Sequence, residues 1–399
     1  MVFAPIAPTT QTNLKKEALP LDTFGPIRLV VIQGTSLCNL NCEYCYLPDR
    51  HLKNQISLDL IEPIFERIFT SQFLDKRFTV CWHAGEPLTV PISFYRAASE
   101  KIEALKHKYD RQDINVTYAV QTNGTLINQK WCDFFKEHSF KVGVSVDGPE
   151  FIHDAYRKTW QGDGTHKQVM RGIKFLQDNG IDCHTISVLT SHSLNYPDEI
   201  FKFFVDNKIR RIGFNVEEVE GAHDTSSLTE ASAEKRYRSF MTRLWELNKE
   251  AKGILSIREF DRICRFIYTG KTLDKSDLVT PFSILNIDNK GNFSTFSPEL
   301  LSMKDQTYGD MIFGNVLTDS FESVCDTEKF RSIYNEIHSG YQMCQNTCQY
   351  FSVCGGGAPS NKYWENGSFN SSETIFCRLT KKAVTDIVLD DLETSLGLK

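Results

Sequence analysis

Cys38, Cys42 and Cys45 stand in one short run, Leu37-Cys38-Asn-Leu-Asn-Cys42-Glu-Tyr44-Cys45-Tyr46, and no other feature of the chain constrains it as much. The spacing is C-x3-C-x2-C. Three thiolates can hold three corners of a cubane 4Fe–4S cluster and leave one iron without a protein ligand, whereas such clusters normally take four cysteines. An open iron suggests chemistry rather than plain electron storage. The run follows a strand candidate, Ile27–Gln33, rich in β-branched residues. Cysteines at the carboxyl end of a strand sit where α/β barrels place their active sites. Taken alone, the spacing also suits a structural zinc knuckle or a redox dithiol.

From Ile27 onward strand and helix signals alternate. Further strand candidates are Arg77–Trp82, Ile114–Gln121, Lys141–Val146, Asp182–Leu189 and Arg210–Asn215. Helix candidates lie between them at Leu58–Thr70, Ile92–His107, Asn128–Glu137, His166–Asp178 and Pro197–Asp206, with Ala231–Lys252 closing the series. Helical crossovers make the six strands parallel and the fold class α/β. Past residue 253 the rhythm changes. Ile257–Tyr268 reads as a bridging helix, and Asn289-Lys-Gly291-Asn between Ile284–Asp288 and Phe293–Phe296 is a hairpin signal. Ser320–Ile337 reads as one helix, Cys344–Cys377 as loop-rich, and a last helix runs to about Leu396. The expected units are an arm over 1–26, a barrel over 27–252, a bridge over 253–280 and a C-terminal unit over 281–399.

Composition narrows the function classes. A chain of 399 residues with 41% apolar content can bury a sizeable core. A net charge of -6 gives no support for a nucleic-acid surface. No apolar run approaches a membrane span, and the first residues lack the basic start and apolar core of a secretory signal. Twelve cysteines in that context read as metal ligands in the cytoplasm rather than disulfides.

Three further motifs follow strand candidates: His83-Ala84-Gly85-Glu86-Pro87, Gln121-Thr-Asn123-Gly124 and Ser145-Val-Asp147-Gly148-Pro149. With the cysteine run they resemble the radical S-adenosylmethionine (SAM) enzymes. The resemblance implies a partial (β/α)6 barrel. It also implies that SAM chelates the open iron and is cleaved to methionine and a 5′-deoxyadenosyl radical. Residue by residue, it implies SAM contacts from Tyr44, Ala84, Gly85, Glu86, Asn123, Ser145, Arg157 and Leu189, with Val188 beside the last. Ala84 stands where the family has a first glycine. Arg157 suits a carboxylate because a guanidinium grips one in a fork, although a surface arginine is the plain alternative. Val188 and Leu189 also read as barrel core. Glu217 and Glu220, in Glu217-Glu-Val-Glu220-Gly221, could bind a peptide or move a proton, or form a solvated acidic loop.

The C-terminal cysteines are Cys344, Cys348, Cys354 and Cys377, spaced C-x3-C-x5-C-x22-C with Gly355-Gly-Gly357 after the third. This resembles the SPASM extension of radical SAM peptide maturases, which usually carries two auxiliary clusters. Five residues after Gly291 stands Phe296, and four after Cys354 stands Ala358, where relatives have cysteines of the first auxiliary cluster. The resemblance therefore implies one auxiliary 4Fe–4S cluster held by the four remaining cysteines; a four-cysteine zinc site is the alternative. Cys81, Cys132, Cys183, Cys264 and Cys325 fit no pattern, and the first three read as small buried apolar residues.

Over most of residues 27–390 the motifs look most like the Grr-type (GrrM/OscB) maturases. That implies abstraction of a side-chain β-hydrogen from a ribosomal precursor peptide and a carbon–carbon crosslink to an aromatic ring, closing a three-residue cyclophane. It implies an external electron donor as partner, with neither nucleic acid nor membrane. The alternatives are a sulfatase-maturating (formylglycine-forming) or thioether-forming enzyme and, in another class, a non-catalytic metal- or cluster-binding protein. In sulfatase-maturating relatives an Asp candidate for the base follows the upstream cluster cysteine. Here that place is held by Phe296-Ser297.

Overall fold

The computed structural model describes residues 19–398. The expected extended arm lies mostly outside them, and within them Leu21–Thr23 forms a single tight turn.

Six strands form in the expected order: β1 (Leu29–Ile32), β2 (Arg77–Trp82), β3 (Asn115–Thr122), β4 (Lys141–Ser145), β5 (Cys183–Leu189) and β6 (Arg211–Val216). Each pairs in parallel with the next. Sequential parallel pairing needs a crossover after every strand, and an amphipathic helix supplies the main part of each. The helix Ile61–Thr70 shows why: Ile61, Ile64, Phe65, Ile68 and Phe69 recur at helical spacing and are all buried. The helix Gln129–Glu137 starts where the Asn128 side chain accepts from the Trp131 amide, so Asn128 caps the helix rather than opening it. A short helix at Glu150–Tyr156, absent from the sequence reading, follows Pro149. The result is the expected partial barrel. The carboxyl ends of its six strands lead into the cysteine run, the His83–Pro87 turn, Asn123, Asp147, Thr190 and Glu217.

The sheet does not stop there. A two-residue strand, β7 (Ser256–Ile257), extends it beyond β6. On the other side β8 (Ile284–Ile287) pairs in parallel with β1, from Leu29↔Ile284 to Ile32↔Ile287. Its hairpin partner β9 (Asn292–Thr295) pairs antiparallel to it, and Gly314–Asn315 then adds to β9. The hairpin assigned to a C-terminal unit is thus hydrogen-bonded into the barrel sheet. The Asp288 carboxylate fixes its turn by accepting from the amides of Lys290 and Asn292 at 2.8 and 2.9 Å.

Two expectations after residue 300 are corrected. The single helix over Ser320–Ile337 is two helices, Phe321–Val324 and Glu328–Thr347. Thr327 caps the second through the Phe330 amide, and a capping threonine ends one helix as readily as it opens another. The second helix continues ten residues past the expected end, so Cys344 sits on its last turns rather than in a loop. The segment Cys344–Cys377 also contains the helix Pro359–Asn366. Among the described residues no helix is long and apolar enough to cross a membrane.

Candidate functional site

The cysteine loop is held before any ligand enters. Its backbone is pinned to the chain after β4 by Asn41 N–H to the Lys158 carbonyl and Glu43 N–H to the Tyr156 carbonyl, at 2.8 and 3.0 Å. Trp160 Nε1 donates to the Cys38 carbonyl and Arg50 Nη1 to that of Cys42. The Cys38 sulfur accepts from the Leu40 amide at 3.4 Å and faces Asn123 Nδ2 at 3.9 Å. Burial, with Glu86 adding to it, pushes the Cys38 thiol up to about 12. Burial also pushes Cys42 up to about 11, against the pull of Arg157. Both are thiols at neutral pH unless a metal displaces their protons.

Glu86 holds the turn after β2. Its carboxylate is 1% exposed and accepts from Leu88 N at 2.9 Å, Asn123 N at 2.8 Å and Thr122 Oγ1 at 2.6 Å. Burial raises it to about 6 although these donors oppose the shift. The carboxylate therefore ties the β2 turn to the β3 turn, and its amide donates to the Leu37 carbonyl beside the cysteine run. Gly85 (φ +70°) is required, since a Cβ there would run into the Thr35 carbonyl and meet Leu37 O at 2.9 Å. Ala84 has φ +69°, in the left-handed region that a side chain disfavours. Ala84→Gly should therefore raise unfolding free energy by about 1 kcal/mol, measurable by denaturant titration.

Asp147 is the hub that sequence reasoning quoted in a motif but gave no role. Its carboxylate is 1% exposed and accepts Arg157 Nε at 2.9 Å, Arg157 Nη2 at 3.0 Å, the Val188 amide at 2.9 Å and the Tyr44 hydroxyl. Burial, the largest influence, would raise its carboxyl, but Arg157 and His153 together leave it below the usual range. The Arg157 fork is thus filled by Asp147 rather than open to a ligand, and the guanidinium lies 5.3 Å from the Tyr44 ring centre. The remaining expected contacts are at the same end of the barrel. Asn123 Nδ2 donates to Asn39, and the Ser145 hydroxyl accepts from Gln121 Nε2 at 3.1 Å. The Leu189 side chain is fully buried and its carbonyl accepts from Glu217 N, so the plain core reading holds for that side chain.

The acidic loop after β6 divides in two. Glu217 spends its carboxylate on its own loop, on His223 Nε2 at 3.2 Å, Ser227 N at 2.9 Å and the Ser227 hydroxyl. Glu220 instead lines a cavity with Glu218 and Glu299, neither of which was singled out from sequence. Asn361 Nδ2 donates to Glu218 Oε2 at 2.5 Å and lies 3.4 Å from Glu220 Oε1. Glu218 could have been suspected from the motif; nothing in the sequence around Glu299 marks it. Gly221 (φ +57°) lets this loop lie against Tyr46, whose carbonyl accepts the Ala222 amide at 2.8 Å and would clash with a Cβ.

The C-terminal thiols also converge. Cys344 feels Cys354 and Cys348, and Cys377 feels the same two. Burial pushes Cys377 up to about 12. Lys362 sits among them, 3% exposed, donating to the Gly340 carbonyl at 2.8 Å. Burial lowers its pKa, and the neighbours that oppose this are Cys344, Cys354 and Cys377. A buried ammonium needs a compensating anion, and a four-thiolate cluster supplies one. Around one zinc ion, thiolates at about 2.3 Å crowd together; among the described residues no three Cys, His, Asp or Glu close round a single ion. Sets of three and four thiols are donor sets of the kind that iron–sulfur clusters take. All twelve cysteines are free of disulfides. Of those outside the two sets, Cys132 and Cys325 are buried, whereas Cys81 and Cys183 are half-buried rather than fully buried as expected.

The Radical SAM superfamily profile matches residues 32–220. An uncharacterized protein of Synechocystis sp., sll1766, is 52% identical over 391 residues, 98% of each chain. A cysteine-type anaerobic sulfatase-maturating enzyme of Clostridium novyi is 28% identical over 373 residues, covering 89% of this chain and 93% of its own. Among solved structures, anSMEcpe with bound AdoMet aligns with a TM-score of 0.75 at 21% identity, covering 94% and 96% of the two chains. Streptococcus suis SuiB bound to S-adenosylmethionine aligns at 0.60 and 15%, covering 89% and 77%. At those identities the two structures speak for the fold alone.

Proposed function

This chain belongs to the radical SAM superfamily, and we propose that it is a peptide maturase that links a side-chain β-carbon of a ribosomal precursor peptide to an aromatic ring, closing a three-residue cyclophane. The observation that carries the reading is the pairing of two thiol sets of different valency. Three thiols at the end of β1 would leave an iron of their cluster open, while four thiols around Lys362 would close theirs. In the proposal Cys38, Cys42 and Cys45 hold the first cluster, and Cys344, Cys348, Cys354 and Cys377 the second. With SAM on the open iron, the first cluster supplies a 5′-deoxyadenosyl radical able to take a hydrogen atom from carbon. The protein's part is position. Glu86 shapes the turn whose backbone, at Ala84 and Gly85, receives the SAM amino group. Asp147, through Arg157 and Tyr44, fixes the loop on which the adenosyl end rests, near Asn123, Ser145 and the Val188–Leu189 backbone. Phe296 and Ala358, both buried, stand where a further cluster would need cysteines, so no second open iron is available to hold a substrate sulfur. That disfavours thioether formation by sulfur ligation.

A second reading, formylglycine formation on a sulfatase, is favoured by the sulfatase-maturating enzymes among the relatives. Co-expression with glycine-rich, aromatic-containing candidate peptides and with a sulfatase, followed by mass analysis, separates the two. Loss of two hydrogens within an aromatic-containing tripeptide is the expected result. An aldehyde in place of a Cys or Ser side chain would refute the crosslink and establish the second reading. The proposal places the enzyme in a reducing, cytoplasmic setting, in keeping with twelve unpaired cysteines, and requires an external electron donor.

A further inference from the structure

A cavity of about 300 Å³ lies between the end of β6, the bridging helix Arg258–Thr269 and the C-terminal segment. Glu218, Glu220 and Glu299 are among the residues that line it. Glu220 is 5% exposed, and Asn361, at 2%, reaches both it and Glu218 through one amide nitrogen. Ser297 lines the same cavity, 1% exposed and with its hydroxyl lacking a hydrogen-bond partner. A buried hydroxyl left unpaired beside carboxyl groups marks a place where a further polar group or water is to be received. Two carboxyl groups bridged by one amide cannot both ionise cheaply away from water, so they hold a proton between them. Arg258, Arg262, Lys381 and Glu259 also line the cavity. With Arg258 paired to Glu259, Arg262 and Lys381 remain as cations lining the cavity, which suits the carboxyl pair to exchanging a proton more than to holding a cation.

The pair lies close to the proposed reaction. Tyr46 follows Cys45 directly and lines the cavity at the barrel mouth together with Ala84. Its phenol is in the field of Glu299, Glu220 and Glu218. Pro298 borders both spaces, and the Gly221 turn holds the glutamate loop against Tyr46.

We propose that the Glu218–Glu220 pair, clamped by Asn361, is the proton acceptor of the crosslinking reaction, receiving the arene proton from the neighbouring cavity that Tyr46 and Pro298 line. The inference rests on the crosslinking reading. The balance is as follows. The β-carbon gives a hydrogen atom to the 5′-deoxyadenosyl radical. The carbon radical bonds to the arene. The arene C–H then breaks, its proton passing to the carboxylate pair and one electron to an acceptor of the iron–sulfur class. The substrate has lost two hydrogens.

Burial, then Glu299, with Glu365 beyond, raises Glu218 to about 7; burial and Glu218 raise Glu220 further. The accepting form is ionised Glu218, so crosslinking should rise as pH rises through neutrality. Glu299→Gln removes a like charge and should move that rise to lower pH. Glu218→Gln should lower crosslinked product about 100-fold, within the usual worth of a positioned base, and raise the deoxyadenosine released per crosslink. Infrared difference spectra of the cluster-loaded, unreduced protein between pH 6 and 8 give a readout independent of turnover. They should show a protonated-carboxyl band near neutrality that loses its Glu218 share in Glu218→Gln and keeps the share from Glu86, with thermal unfolding checking that the variant folds. An unchanged product-to-deoxyadenosine ratio in Glu218→Gln and Glu220→Gln, beside a productive wild type, overturns the role of the pair alone. A wild type that releases deoxyadenosine but never forms a carbon–carbon bond overturns the crosslinking reading, and the role with it.

Discussion

Cys42→Ala is expected to abolish reductive cleavage of SAM, to lose the change that added SAM produces in the reduced protein's EPR spectrum, and to keep about half of the bound iron. The reason lies in the separateness of the two thiol sets. The loop set cannot hold a cubane with two thiolates, while the set around Lys362 shares no residue with it and keeps its own four ligands. Cys348→Ala should also halve the iron, but the SAM-induced spectral change should persist. Iron assay and EPR on the two variants therefore assign each cluster to its cysteines without any knowledge of the substrate. Equal spectral loss in both would mean that the two sets do not act as separate sites.

Asp147→Ala should cost about 3–5 kcal/mol of stability, the range for leaving one member of a buried ion pair without its partner. Arg157 is 7% exposed, and its guanidinium fork would face only the Tyr44 ring and the Cys42 thiol. Because the same carboxylate also receives Tyr44 and the Val188 amide, the loss should loosen the cysteine loop and the end of β5 together. Asp147→Ala combined with Arg157→Met should recover part of the loss in denaturant titration, since the stranded charge is gone. The pH sign follows from the depressed carboxyl. Its contribution is present above the ordinary aspartate range and is lost as pH falls through the depressed value. Wild-type stability should therefore drop in acid more steeply than that of Asp147→Ala.

What could be read from the chain and what could not divide along physical lines. The six barrel strands and their helices were legible because each carries a strong local period: β2 and the helices His166–Asp178 and Pro197–Asp206 begin and end where the pattern places them. Cysteine runs are legible because ligand spacing is itself local. Three things escaped. The pairing of β8 with β1 joins residues some 250 positions apart, and nothing local announces it. The Asp147 partner of Arg157 escaped because a guanidinium that suits a ligand's carboxylate can equally hold an aspartate ten residues away, and only the fold shows that Asp147 fills its fork. The carboxyl cavity draws Glu218, Glu299 and Asn361 from three distant segments, so no spacing could have revealed it. Glu217 and Glu218 are neighbours in sequence, yet alternation at the strand end sends one into its own loop and the other into the cavity.

The strand β8 carries a further implication. As the outer neighbour of β1, it satisfies backbone groups that would otherwise leave the cysteine-bearing edge open to any passing strand. Its hairpin therefore has a mechanical duty that does not depend on iron. Such a hairpin can shed the ligands of a cluster and still be retained, because removing it would strip the barrel of its border. A chimaera that grafts a relative's cluster region onto this barrel would have to exchange a strand in mid-sheet, and cutting near residue 280 would yield a sticky fragment rather than a smaller enzyme.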